Sequence, residues 1–309
     1  MAERTLLSDL ERRTPAGRAA AWLLVGFLFV AMLTTLLPLL WALFSVCKPP
    51  AQIFSSPPTL FPRPVTDPTQ WAWGNWAEAC EQVDFVRHFA NTIVLVGAIW
   101  LLQIIPSALA AYALSRLPTR LGRVMAVGFF LTLLVPFQTI IIPLFLVVRE
   151  IDLVPLIGRG LGEPGARMLS VYLRVILPAG CSAFNIFVFK SFFDELPSDL
   201  IEAARLDGAS ERAIFWRIVL PLSSSIIAVV SIFTVINMWN DFLWPYLNFD
   251  VAGERQWTPI MVRLYSLERT ADNATLLAAL VISTLPPMIL FLLFQRRILR
   301  GVALTGLKG

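Results

Sequence analysis

The sequence predicts an all-α membrane protein of six transmembrane helices. Three observations carry this. The 309 residues are 57% hydrophobic and 15% charged, with a mean hydropathy of +0.71, whereas a soluble domain carries more charge and a much lower mean hydropathy. The apolar residues fall in long runs without charge. The tightest basic clusters sit between alternate runs, as expected when Lys and Arg stay on the cytoplasmic side.

Residues 19–47, 89–115, 124–148, 218–240 and 273–295 contain no Asp, Glu, Lys or Arg. Each exceeds the roughly 20 residues that a helix needs to cross about 30 Å of hydrocarbon. A sixth run, 168–189, is broken only by Arg174 near one end, where a long basic side chain can snorkel to the headgroups. The spans are therefore expected at 19–47, 89–115, 124–148, 168–190, 218–245 and 273–295. The first is too long for the roughly 7–15-residue apolar region of a signal peptide and is expected to stay as an anchor.

With the N-terminus inside, the inner segments hold 15 of the 25 basic residues, including the clusters Arg12 to Arg18, Arg116 to Arg123 and Arg296 to Arg300. Both termini, the tails 1–18 and 296–309 and the loop 191–217 are expected in the cytoplasm. The overall +4 charge is thus a matter of topology, and nucleic acid is not an expected partner.

The segments between spans differ in kind. The outer loop 48–85 is rich in proline (Pro49, Pro50, Pro57, Pro58, Pro62, Pro64, Pro68), which excludes one long helix. Trp71, Trp73 and Trp76 follow in a stretch, Gln70 to Asp84, that reads as a surface helix. They suit an interfacial aromatic belt or a contact with an external partner. Cys47 and Cys80 lie at the ends of this loop, so a disulfide is open there, although spacing alone does not pair them. Cys181 reads as a packing residue of the fourth span. From 86 to 298 the chain reads as one core domain. Its outer loop 149–167 contains Gly160-Leu-Gly162-Glu-Pro-Gly165, formally G-x-G-x-x-G. No strand precedes it and Pro164 interrupts it, so it reads as a flexible turn rather than a dinucleotide site.

No Walker A sequence, Gly-x-Ser-x-Gly elbow or Cys/His cluster of metal-ligand spacing occurs. His88, the one histidine, reads as a surface residue at the outer entry of the second span. No catalytic residue and no metal ligand is expected, and the chain is not expected to be an enzyme.

The inner loop 191–217 is the most informative segment. Ser198 with Asp199 reads as a helix start. Leu200, Ala203 and Ala204 recur at i, i+3, i+4, with Glu202 and Arg205 away from that stripe. Asp207-Gly208 ends the helix, Gly208 being free to take the left-handed conformation. Ser210 can start a second short helix running into the fifth span, with Ile218, Leu220 and Pro221 at its entry. Amphipathicity alone would suit an interfacial helix with a Glu202–Arg205 pair worth only tenths of a kcal/mol.

The whole pattern is more specific. Glu202-Ala203-Ala204, three residues, Gly208, nine residues, Ile218-x-Leu220-Pro221 resembles the cytoplasmic coupling loop of ABC importer permeases. The resemblance covers nearly the whole chain. Asn91-Thr92 stands where that family usually has Asn-Ser. Ala110 to Arg116 resembles its segment before the basic turn, and Pro136 and Pro143 its third-span prolines. Trp239-Asn240-Asp241-Phe242 resembles its Trp-Asn-acidic-Phe element. The tail Gln295-Arg296-Arg297, Gly301, Thr305-Gly306, Lys308-Gly309 favours the carbohydrate branch, of the maltose and glycerol-3-phosphate type, and its smaller permease. The resemblance implies the type I ABC importer permease fold in a multi-pass protein of the cytoplasmic (inner) membrane. It implies as partners a second homologous permease, two ATPase subunits that bind ATP and Mg, and an external solute-binding protein; no cofactor is implied for this chain. It places Glu202, Ala203, Ala204, Asp207, Gly208, Ile218, Leu220 and Pro221 at the ATPase contact. The expected cargo is an oligosaccharide, polyol or sugar phosphate.

Two more sets of residues follow. Ser231, Thr234, Asn237 and Asp241 recur within about one third of a helix circumference, with Asn240 beside them. Such groups in lipid must face protein or water, so they line a substrate path or hold helices together by hydrogen bonds. Trp239 and Trp244 could stack on sugar but ordinarily anchor at the interface. In the outer loop 246–272, the resemblance marks Glu254, Arg255, Trp257 and Arg263 as candidates to meet the binding protein. An ion-coupled secondary transporter is the alternative. Such proteins usually keep ionisable residues near the membrane midplane, where this chain has none.

Overall fold

The computed structural model describes residues 14–117, 119–150, 154–249, 255–268 and 270–305. They form helices α1 (Pro15–Ser45), α2 (Pro50–Ile53), α3 (Gly74–Val83), α4 (Phe85–Arg116), α5 (Arg120–Thr132), α6 (Phe137–Arg149), α7 (Val154–Ala179) and α8 (Ala183–Asp194). There follow α9 (Ser198–Leu206), α10 (Glu211–Ile214), α11 (Leu220–Leu222), α12 (Ser224–Asn240), α13 (Leu243–Phe249), α14 (Ile260–Leu267) and α15 (Asn273–Thr305). No strand occurs among the described residues.

Among the described residues, three helices are long and apolar enough to cross a membrane: α1, α4 and α15 up to Gln295. Three bent pairs pass the same test, giving up to six spans if each pair is one span. The spans expected at 124–148, 168–190 and 218–245 are therefore not single straight helices. The pair α5 and α6 bends by 103° at Pro136, the N-cap of α6. Proline cannot donate to the preceding turn, and it biases the residue before it away from helix. The pair formed by α7 from Gly160 and α8 bends by 47° just after Pro178, with Ser182 capping α8 through the Asn185 amide. The segment α10–α11 and α12 bend by 77°. Here Pro221 lacks an N–H, and Phe215–Val219 widens into a π-turn in which the Leu220 amide reaches the Phe215 carbonyl. Ser223, fully buried, then donates its hydroxyl back to the Val219 carbonyl at 2.6 Å, a local bond that competes with the helix ladder and bends it.

The segment 154–167 is helical, not a loop. Gly162 alone departs, at φ 72° and ψ 162°, a conformation that glycine adopts without steric cost.

The chain divides into two compact units, residues 1–82 with 271–281, and residues 83–270 with 282–309. In the first, buried Lys48 donates to the Ser45 hydroxyl at 2.8 Å and to the Thr59 carbonyl, and lies over the Trp41 ring. These contacts keep the Pro-rich segment folded. Trp71 and Trp73 stack at 5.6 Å, and Trp73 is exposed. Cys47 and Cys80 are free thiols, the first buried and the second exposed. In the second unit, α4 packs along α8 and α12. One core there joins Ala108, Tyr112, Phe189, Phe193, Ile201, Phe215 and Val230, and another joins Leu95, Ile99, Ile141, Tyr172, Trp244 and Phe249.

Candidate functional site

The loop 191–217 forms a helix, a glycine bend and a second helix. The N-cap of α9 is Pro197, not Ser198, whose hydroxyl instead meets the Asp199 carboxylate. Asp199 sits in the first turn, at the positive end of the helix dipole. At the other end the chain closes with a Schellman motif. Asp207 is the C-cap and Gly208 takes φ 82°. The Gly208 amide donates to Arg205 O and the Ala209 amide to Ala204 O, both at 3.0 Å, satisfying two carbonyls that a helix end leaves open. Ser210 then caps α10 through the Ala213 amide at 3.3 Å.

The buried face of α9 is one residue out of phase with the expected stripe. Ile201 is buried, and Ala204 packs partly against the same core. Leu200, Ala203 and Leu206 face outward with Glu202. Glu202 has no ion-pair partner among the described residues; Arg205 pairs with Glu211 instead, Nε to Oε1 at 2.7 Å. That contact pushes the Arg205 guanidinium pKa up further. Asp207 is exposed, Ile218 and Leu220 are half-buried, and Pro221 is exposed at the π-turn.

The base of this loop is bonded to α4 and α8. Tyr112 donates its hydroxyl to the other oxygen of Glu211 at 2.6 Å. Arg116 donates to Leu196 O at 2.6 Å and to Phe193 O, and Ser115 donates to Asp194 at 2.6 Å. Thus the last turn of α4 caps the carbonyl end of α8, where a cation is favoured.

Farther along, a cavity of about 620 Å³ opens among the helix breaks. Asn237, Asn240 and Asp241 line it with Gln138, Ser182 and the Phe137 and Trp244 rings. Of the polar stripe expected along 231–241, the structure brings these three together. Thr234 lies instead in a buried network: Asn185 donates to Thr234 Oγ1 at 3.1 Å and to Gln103 Oε1 at 2.9 Å, and Gln103 donates to the Ala179 carbonyl at 2.6 Å. Ser231 is half-buried and outside the cavity lining. Trp239 and Trp244 are buried, with indole N–H groups bonded to Ser283 O and Val175 O, so neither is an exposed interfacial anchor. Cys181 is not packed within a helix; it is exposed at the break between α7 and α8 and lines the cavity. Gln103, Gln138 and Asn185 escaped the sequence reading. The available signal was that each is an amide inside an otherwise apolar run.

His88 is buried, not superficial. Its Nδ1 lies 2.7 Å from Thr258 O. Asn91 donates to Gln256 O at 2.9 Å, and Thr92 Oγ1 accepts the Ile260 amide at 2.8 Å. Thus the Asn-Thr pair of α4 pins the segment leading into α14. Of the outer-loop candidates, Glu254 lies outside the described residues, and Arg255 is described only as the first residue of the 3-10 turn Arg255–Trp257. Trp257 packs partly against the second core. Arg263, half-buried, donates to Val83 O at 3.3 Å.

An all-helical chain with three long apolar helices and three bent apolar pairs among its described residues has the architecture of a multi-pass membrane protein. The family described as the inner membrane component of binding-protein-dependent transport systems matches residues 103–304, and the chain belongs to it, as a multi-pass protein of the inner membrane. The sn-glycerol-3-phosphate transport system permease protein UgpE of Yersinia pestis bv. Antiqua (strain Antiqua) is 30% identical over 89% of this chain and 93% of its own length. The diacetylchitobiose uptake system permease protein NgcG of Streptomyces coelicolor is 30% identical over 87% of this chain and 82% of its own. The arabinooligosaccharides transport system permease protein AraQ of Halalkalibacterium halodurans is 28% identical over 94% and 97%. Among solved structures, a chain of a bacterial ABC transporter involved in the import of the acidic polysaccharide alginate superposes with a TM-score of 0.74. It is 20% identical and covers 92% of this chain and 98% of its own; that likeness shows the fold.

Proposed function

We propose that this chain is the smaller permease of an ABC importer that moves a carbohydrate, whether oligosaccharide, polyol or sugar phosphate, across the cytoplasmic membrane. In this reading both termini and the 191–217 loop are cytoplasmic. A second homologous permease completes the path, two ATPase subunits bind ATP and Mg, and an external solute-binding protein delivers the cargo. This chain carries no catalytic step.

One observation carries the reading: α9 is anchored by Ile201 and Ala204 on its inner face and presents Leu200, Ala203, Leu206 and Glu202 outward. A helix whose apolar outward stripe sits beside a free carboxylate is built to enter a partner's cleft, small Ala203 allowing close approach. Gly208 fixes its exit angle, and Ile218, Leu220 and Pro221 carry the movement into α12. The relatives named above belong to systems for sn-glycerol-3-phosphate transport, diacetylchitobiose uptake and arabinooligosaccharides transport, which supports a carbohydrate cargo. The cavity supports it too, since the carboxamides of Asn237, Asn240 and Gln138 and the Asp241 carboxylate suit hydroxyl groups. The segment whose sequence carries Glu254, Arg255, Trp257 and Arg263 is the one we assign to the binding protein.

The test is uptake by the purified importer in proteoliposomes, comparing wild type with Ala203→Arg. ATP-driven uptake in the wild type, with loss of uptake and of ATPase co-purification in the variant, supports the reading. Uptake that ignores ATP and follows an ion gradient, or unchanged uptake in the variant, refutes it.

A further inference from the structure

The loop carrying α9 joins the helices of the membrane domain through a few polar contacts that the coupling pattern itself does not include. Arg205 and Tyr112 hold the two oxygens of Glu211 at 2.7 and 2.6 Å. Arg205 also donates to the Arg116 carbonyl at 3.4 Å. Arg116 in turn binds the carbonyls of Phe193 and Leu196 beyond the end of α8. Glu211 is the first residue of α10, on the far side of the Gly208 bend. The network therefore ties both arms of the bent loop, α9 through Arg205 and α10 through Glu211, to the last turn of α4. Tyr112 is buried and packs tilted against Phe215, ring centroids 5.3 Å apart, so its hydroxyl is held in place.

A glycine bend on its own is a compliant joint. A push on α9 would rock that helix about Gly208 and be lost locally. The Arg205–Glu211–Tyr112 bridge opposes this motion, because rocking α9 must break a half-exposed ion pair, weak on its own, together with a hydrogen bond from buried Tyr112 to a carboxylate, the stronger class of hydrogen bond. Arg116 carries the same constraint to α8, whose other end borders the cavity at Ser182.

We propose that Tyr112, Arg116 and Glu211 are positioning residues for transport. They stiffen the coupling loop so that displacement of α9 is delivered to α4 and α8 rather than absorbed at Gly208. The inference rests on the reading of α9 as the ATPase contact.

The experiment measures cargo imported per ATP hydrolysed by the whole importer in proteoliposomes, for wild type, Tyr112→Phe, Glu211→Ala and the double variant. Tyr112→Phe removes one hydroxyl and keeps the ring against Phe215. The expected result is normal assembly and ATP hydrolysis with about five-fold less cargo per ATP in each single variant. The double variant is expected to be no worse than Glu211→Ala, since both cut the same link. An unchanged ratio overturns the proposal, and so does a loss of uptake and hydrolysis in parallel. If the wild-type chain neither retains an ATPase nor imports with ATP, the underlying coupling reading fails instead. Arg116→Ala supplies an independent check: loss of coupling to the same degree supports the proposal, and full coupling in the assembled variant overturns it.

Discussion

Gly208 offers the sharpest test of the loop, because its two possible costs separate. A Cβ built there meets nothing within 4 Å, so substitution brings no clash. What remains is the backbone: φ 82° is left-handed, and an L-residue with a Cβ bears roughly 1–2 kcal/mol there. Gly208→Ala should therefore lower the population of the bent loop about 5- to 30-fold relative to its open form. Asn tolerates the left-handed region, so Gly208→Asn should cost less than Ala, and β-branched Gly208→Val more. Hydrogen exchange reads this directly. The Ala209 amide is bonded to Ala204 O at 3.0 Å, and its exchange should speed up in the order Asn, Ala, Val. Uptake per ATP should fall in the same order. Equal exchange in Ala and wild type, or a Val variant indistinguishable from Asn, would refute the claim that the left-handed residue sets the bend.

Three further predictions rest on other parts of the chain. Thr92→Val should destabilise the protein by about 1–3 kcal/mol in thermal unfolding, because the Ile260 amide would be left buried without its acceptor. Thr92→Ser keeps the oxygen and should be close to neutral. Gly180→Ala should cost about 1–3 kcal/mol by overpacking, since its Cβ would lie 2.4 Å from Leu102 Cδ2 and 2.8 Å from Cγ; Leu102→Ala in the same chain should relieve that part of the cost. Asp272 accepts the Ala274 and Thr275 amides and the Thr275 hydroxyl at the start of α15. Burial raises its pKa, but the bonds from Thr275 and Ala274 outweigh this and hold it below the usual value. A lowered folded pKa means that the cap's contribution is complete above the unfolded carboxyl value and is lost as pH falls through the folded one. Asp272→Ala should thus lose about 1 kcal/mol near neutral pH and flatten the acid limb of the stability curve.

Hydropathy revealed which segments are apolar, but not the path that each takes. A charge-free run reports the solvent around a chain, and lipid accepts a bent helix as readily as a straight one if the freed backbone groups find partners. Pro136 and Pro221 were visible breakers. The decisive bond at the last bend, from the Ser223 hydroxyl to the Val219 carbonyl, uses a residue that elsewhere in a helix would be unremarkable. The 154–167 segment shows the opposite error: its glycines and prolines suggested a turn, yet only Gly162 leaves the helical region.

The same distinction governs the site. Local chemistry was legible at Gly208 in its Schellman motif and Ser210 at its cap, where the partner lies within a few residues, though not at Ser198, whose hydroxyl turns to Asp199 instead of capping α9. It failed wherever the partner is distant in sequence. His88 looked superficial because nothing nearby in the chain announces Thr258, 170 residues on. Arg205 looked like a partner for Glu202, three residues away, but Glu211 already holds it together with Tyr112 of α4. The phase error on α9 has the same origin. Leu200 and Ile201 are equally apolar, and which of them turns inward depends on the core formed by Phe189, Phe193 and Phe215. Periodicity set Leu200, Ala203 and Ala204 on one stripe; the structure leaves Leu200 and Ala203 exposed together with Leu206 and Glu202, while Ile201 enters the core with Ala204 packed partly against it.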